Sequence, residues 1–176
     1  MKKLLTLSLA IFAFSASAQH KAHRLEYDDD GHVFFERREN VYKRDAQEIM
    51  RFARGFARQQ KATIISDDTA NNTLKLLYRW KMTDVSKSHK LYNVTFVTTV
   101  EISSKYSRTR IYAADIRYEG VEVCGKTGDI NQLLKCDEVP KGQKNAIAVF
   151  FNEGPFYDLG EEYKKYLLKA VRSDEW

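Results

Sequence analysis

The sequence predicts an α+β domain, an antiparallel sheet of four to five strands with two helices on one face. Three observations carry this. The first is the stretch Leu91 to Glu119, where two runs of β-branched and aromatic residues alternate apolar with polar. They are joined by the polar Ser103-Ser104-Lys105-Tyr106-Ser107, so a long antiparallel hairpin is expected. Tyr92, Val94, Phe96, Thr98, Val100 and Ile102 share one face of its first strand, and Tyr112, Ala114, Ile116 and Tyr118 one face of its second. The second observation is Asp45-Ala46-Gln47-Glu48, a capping box ahead of Ile49, Phe52, Ala53 and Phe56 at helical spacing. The third is Asp158-Leu159-Gly160-Glu161, a box of the same form ahead of Tyr163, Tyr166, Leu167, Ala170 and Val171. The predicted order is β-α-β-β-β-β-α.

Taken in order, the chain opens on Lys2 and Lys3, an apolar run from Leu4 to Phe14, and then Ser15-Ala16-Ser17-Ala18. Basic start, short apolar core and small residues at Ala16 and Ala18 spell a secretory signal over residues 1–18, cleaved before Gln19. The run is too short to span a bilayer comfortably, and no transmembrane segment is expected after cleavage. Residues 19–176 then form a single domain. Loss of the two lysines lowers the formal charge from +5 to +3, a surplus that solubility explains without a nucleic-acid partner.

Asp28-Asp29-Asp30-Gly31 lacks the ligand spacing of a calcium loop and reads as a solvated turn into a strand at Val33 to Arg37. The helix from Asp45 to Gln60 carries Arg51, Arg54 and Arg58, with Lys61 beyond, on the side opposite its aromatic residues. Such a stripe suits phosphates or an anionic surface, but is more often the solvated side of a helix. Ala62 to Ser66 is a short strand. After the turn formers Asp67 to Asn72, the residues Leu74, Leu76, Tyr78, Trp80 and Met82 alternate with Lys75, Arg79 and Lys81 as a half-buried strand. Between about 120 and 156 the pattern breaks into an irregular excursion. It holds Cys124 and Cys136, one helical turn near Ile130 to Leu134, and a strand or packed connector at Ala146 to Phe151. An even cysteine count in an exported chain favours a bridge, which would add about 3 kcal/mol, over free thiols or half a metal site.

No phosphate loop, metalloprotease motif or serine-hydrolase elbow is present. Of the histidines, His20, His23, His32 and His89, none adjoins an evident nucleophile and acid. Asp115 and Glu119 could pair as carboxylates on one strand face, although solvated strand charges are commoner. No catalytic residue, metal ligand or cofactor is expected.

The stretch Asp29-Asp30-Gly31-His32-Val33-Phe34-Phe35-Glu36, the helix Asp45 to Gln60, the run Ile111 to Glu119 and the closing helix resemble domain of unknown function 4468. The likeness covers about Glu26 to Glu119. The resemblance implies a small exported domain of Gram-negative bacteria with a TATA-box-binding-protein-like fold. The family has no established activity, so no functional residue carries over, and the cysteine excursion departs from its pattern.

The expectation is therefore a non-catalytic, periplasmic or secreted domain that binds a protein or glycan of the cell envelope, and not nucleic acid. The alternative is a hydrolase-like enzyme with an unrecognised site. If helices cover one face, the strand aromatics Tyr78, Trp80, Tyr92, Tyr112 and Tyr118 form a candidate binding surface on the other.

Overall fold

The computed structural model describes residues 26–83, 91–123 and 126–173. The chain starts with β1 (Glu26–Tyr27), paired antiparallel to β2 (Val33–Asn40). Asp28 shapes the turn between them. Its carboxylate accepts the backbone N–H of Asp30 at 3.1 Å and of His32 at 2.7 Å, while Gly31 takes a φ of 77°. The acidic triplet is a turn. Among the described residues there is no group of three or more His, Cys, Asp or Glu placed to hold a metal ion.

Helix α1 (Ala46–Gln59) forms its capping box: Glu48 N–H donates to Asp45 Oδ1 at 2.8 Å, and Asp45 N–H to Glu48 Oε2 at 3.2 Å. Ile49, Phe52, Ala53 and Phe56 are buried, as their spacing requires. The helix ends in a Schellman motif. Lys61 adopts a φ of 51° and donates to Arg58 O at 3.1 Å, and Ala62 donates to Ala57 O at 3.0 Å. The chain then enters β3 (Thr63–Asp68), β4 (Thr73–Lys81), β5 (Thr95–Lys105) and β6 (Arg108–Val123), an antiparallel meander. Sheet order is β1-β2-β6-β5-β4-β3, so α1 carries the chain across the sheet to its far edge and the meander returns until β6 lies against β2. The five expected strands are present. Two short ones join them, β1 at the edge and β7 (Lys126–Asp129) against the end of β6. The hairpin turn is tighter than expected: Lys105 pairs with Arg108, and only Tyr106 and Ser107 lie between them.

The predicted faces of the second hairpin strand need correction. Val97 pairs with Arg117 but Thr99 pairs with Ala114, so Thr98 alone stands opposite Asp115 and Ile116. Asp115 takes a φ of 51°, and Thr98 Oγ1 donates to Ala114 O at 2.9 Å. This β-bulge reverses the alternation. Thr109, Ile111 and Ala113 point inward before it, Ile116 and Tyr118 after it. Tyr112 and Ala114, expected beside Ile116 and Tyr118, face the other way.

The C-terminal excursion is more ordered than its sequence suggests. After β7 come α2 (Ile130–Lys135), α3 (Lys141–Glu153) and α4 (Pro155–Ser173). Ala146 to Phe151 lies within α3, not in a strand. A short apolar run does not separate the two by periodicity, and Ile147, Phe150 and Phe151 are buried at helical spacing. Helix α4 begins at Pro155 rather than at the expected box, because proline suits the first helical position. Asp158 therefore sits inside the first turn, where its charge complements the helix dipole.

All the large core contacts lie on one sheet face. Phe151 stacks on Phe35 with centroids 4.6 Å apart and meets Phe96 edge-on at 5.1 Å. Phe56 of α1 meets Tyr163 of α4 at 5.1 Å. A single apolar cluster includes residues of β2, α1, β4, β5, β6, α2, α3 and α4. The edge strand β3 contributes no buried residue: Ile64 and Ile65 are 46% and 51% exposed. Its register with β4 shifts between Ile64 and Ser66.

Gly154 is the single residue between α3 and α4, and a Cβ there would collide with the Phe150 carbonyl oxygen. That obstacle is backbone and cannot rotate away. Gly154→Ala is expected to cost about 1–3 kcal/mol. A lower urea midpoint at unchanged slope would show it.

Candidate binding surface on the open sheet face

Strand pairing fixes which residues share the face opposite the helices, because directly opposed residues point the same way. One row runs Ser66, Lys75, Glu101, Tyr112, Glu36 across β3, β4, β5, β6 and β2. The neighbouring row toward the hairpin end is Asp68, Thr73, Ser103, Arg110, Arg38. On the other side are Thr63, Leu77, Thr99 and Ala114. Oppositely charged side chains tie this face together. Lys75 lies 3.7 Å from Glu101, Arg79 donates to Glu119 at 2.6 Å, and Glu36 pairs with both Arg38 and Arg110. An aromatic cluster sits where β2 meets β6. Phe34 and Tyr112 have centroids 5.6 Å apart, and the Arg110 guanidinium lies over the Tyr112 ring at 4.3 Å.

Of the five aromatic residues expected to form a surface, Tyr112 alone takes part in this cluster. Tyr118 is 1% exposed and belongs to the core, since the bulge turns it inward. Tyr78 and Trp80 alternate with Lys75, Arg79 and Lys81 as predicted, but on the helix side, stacked at 5.3 Å with Trp80 edge-on to Phe151. Tyr92 lies in the turn before β5, half-buried. Phe34 lies inside a run whose sequence signals a strand and nothing more. Its pairing with Tyr112 comes from the β2–β6 register, which local sequence does not encode.

The basic stripe of α1 is divided. Arg54 makes a two-pronged bond to Asp67, at 2.7 and 2.8 Å. Arg51 lies 5.2 Å over the Phe52 ring, and Arg58 is exposed in the last helical turn. Asp115 forms the bulge, and Glu119 is engaged by Arg79, so no carboxylate couple is assembled from them. Cys136 is buried at 6% exposure, while Cys124 lies outside the described residues. The expected signal over residues 1–18 lies outside them too, as do His20, His23 and His89. Among the described residues no helix is long and apolar enough to cross a membrane.

No family model and no curated protein matches the chain in sequence. Solved structures do. A TBP-like protein from Parabacteroides distasonis superposes with a TM-score of 0.57 at 15% identity, over 76% of this chain and 93% of that one. The fold is TBP-like. A DUF4468 family protein from Bacteroides ovatus gives a TM-score of 0.51 at 11% identity, over 85% of each chain. The TBP-like architecture agrees with the resemblance drawn from the sequence. It carries no function with it, since one architecture serves many.

The shifted titrating groups of the TBP-like domain are explained by its packing. Arg37 reaches from β2 toward α4, donating to Glu39 at 2.8 Å and pairing with Glu161, with the Tyr157 ring 5.4 Å away. The Arg37 bond holds the Glu161 carboxyl below its ordinary value. Arg54 does the same to Asp67. Burial, with Glu162 adding a smaller push, raises Tyr78 to about 12, and its hydroxyl has no hydrogen-bond partner.

A depressed folded pKa stabilises above the unfolded value, and that contribution is lost as pH falls. Glu161 therefore supports the fold above its ordinary value of 4.5 and progressively less below it. Glu161→Gln is expected to lower the melting temperature at neutral pH and to leave a shallower decline below pH 4.5. Parallel melting curves for variant and parent across that range would contradict the assignment.

Proposed function

We propose that this TBP-like domain is an exported, non-catalytic module that binds a cell-envelope component through its open sheet face. One observation carries the reading. The helices pack against a single side of the sheet, and the other side gathers Phe34, Tyr112 and Arg110 into a half-buried aromatic and cationic cluster. Aromatic and arginine side chains are the types enriched where protein surfaces engage partners. Export rests on the signal pattern of residues 1–18, and the periplasm or the exterior would also permit a Cys124–Cys136 bridge. A non-catalytic role is supported by the described titrating groups. The carboxylates of lowered pKa, Asp67, Asp68 and Glu161, are held by Arg54, Asn71 and Arg37, so they do not form a free acid–base couple.

With the mature chain immobilised, an envelope extract should leave a component retained by the parent and reduced about tenfold or more by Tyr112→Glu. Arg58→Glu, on the helix side, should retain it fully. Equal retention by the Tyr112 variant would remove the open face from consideration. Export has its own readout: the protein recovered from the producing cell should begin at Gln19 and titrate as thiol-free until reduced. An intact Met1 terminus or two free thiols in the native chain would refute that part.

A further inference from the structure

The open face is charge-balanced over most of its area, and the balance fails at one place. Beside the hairpin turn lies a depression of about 590 Å³ lined by Arg38, Lys105, Arg108 and Arg110, with Thr73 and Ser103 on its β4 and β5 side. Its one carboxylate, Glu39, is already engaged by Arg37 at 2.8 Å and Lys164 at 3.8 Å. Two of the strand pairings here oppose like charges: Arg38 faces Arg110, a pair that Glu36 bridges, and Lys105 faces Arg108, a pair with no such bridge among the described residues. Directly opposed like charges weaken a sheet, and elsewhere on this face the opposed pair Lys75 and Glu101 is complementary. Glu36 approaches Arg110 Nε at 3.2 Å, but not at a hydrogen-bonding angle, so that nitrogen is buried without a hydrogen bond. Among the described residues Lys105 and Arg108 make no ion pair.

We infer that this basin is an anion-binding site for an acidic oligosaccharide. The inference rests on the reading of the open face as the binding face and names the ligand class for it. Three features select that class. Arg108 and Arg110 are two residues apart on β6, so their side chains leave the strand at levels about 7 Å apart. A ligand neutralising both levels carries at least two acid groups, not one. The hydroxyls of Thr73 and Ser103 offer neutral partners beside the charges, as sugar hydroxyls require. The volume suits a short oligosaccharide and exceeds what a lone inorganic anion fills. Arginine matches carboxylates with its planar pair of donors, and a carboxylate seated here would relieve the Lys105–Arg108 pair, which no carboxylate among the described residues bridges.

The test is calorimetric titration of the mature chain with trigalacturonate, alongside neutral cellotriose, inorganic phosphate and a single-stranded oligonucleotide. Trigalacturonate is expected to bind with an affinity that drops steeply as salt rises, and to shift the backbone amide resonances of Thr73, Ser103 and Arg108. The double variant K105Q/R108Q should bind at least about tenfold more weakly while its melting temperature stays level or rises. A merely structural role would move melting downward instead. Failure of trigalacturonate to bind, equal binding by the double variant, equal affinity for cellotriose, or tighter binding of phosphate or the oligonucleotide would each overturn the inference. If trigalacturonate fails while retention through Tyr112 persists, only the ligand class falls. If both fail, the binding-face reading falls with it.

Discussion

One extra residue in β6 governs how this sheet can be used. Ile111 and Ala113 must lie under the helices together with Ile116 and Tyr118, and strict alternation does not allow it. The bulge at Asp115 allows it, at the cost of a left-handed backbone at a non-glycine residue and a gap in the ladder. Thr98, buried inside the sheet, closes that gap by donating to the Ala114 carbonyl. Without the inversion Tyr112 would point at the helices and Ile111 at water. The aromatic cluster on the open face and the apolar floor beneath α1 are thus two results of the same irregularity.

The helices in turn depend on a few large contacts reaching down from β2. Phe35 stacks on Phe151 of α3, while two positions further along Arg37 spans to Glu161 of α4. Apolar burial supplies most of the attraction. The partly buried ion pair fixes where α4 lies along the strand and limits it to one registration. Asp67 and Arg54 hold α1 to the sheet's far edge in a similar manner. These charges serve architecture, which leaves the unpaired cations beside the hairpin turn as the ones available to something outside the molecule.

Much of the architecture was legible in the sequence. The box at Asp45 and Glu48 states where a helix begins, and the spacing of Ile49, Phe52, Ala53 and Phe56 states which side it buries. The long alternation through β5 states a strand. Legibility ends where information becomes non-local. Alternation cannot announce its own interruption, so the sequence pattern puts Tyr112 and Tyr118 on one face while the bulge sets them on opposite ones. The run Ala146 to Phe151 is too short to distinguish strand from helix, and its identity comes from packing against Phe35 and Phe96. The cationic basin was invisible for a related reason. Arg38 meets Arg110 through a pairing between strands 72 positions apart, and Lys105 meets Arg108 only because the turn is two residues and not five.

The outer strand β3 bears on a different matter, namely how the sheet avoids growing. A free strand edge presents unpaired donors and acceptors to any second molecule, and β3 adds Ile64 and Ile65 to that invitation. The displaced register at Ile65 breaks the run of evenly spaced hydrogen bonds that an incoming strand would copy. Asp67 and Asp68 follow at once, and both carboxyls are held below their ordinary range, Asp67 by Arg54 and Asp68 by Asn71, so they remain charged well into acid. A second β3 laid against the first would have to desolvate those carboxylates and skip the irregular step. The edge is therefore a terminus for the sheet, and self-templated polymerisation finds no continuous track there.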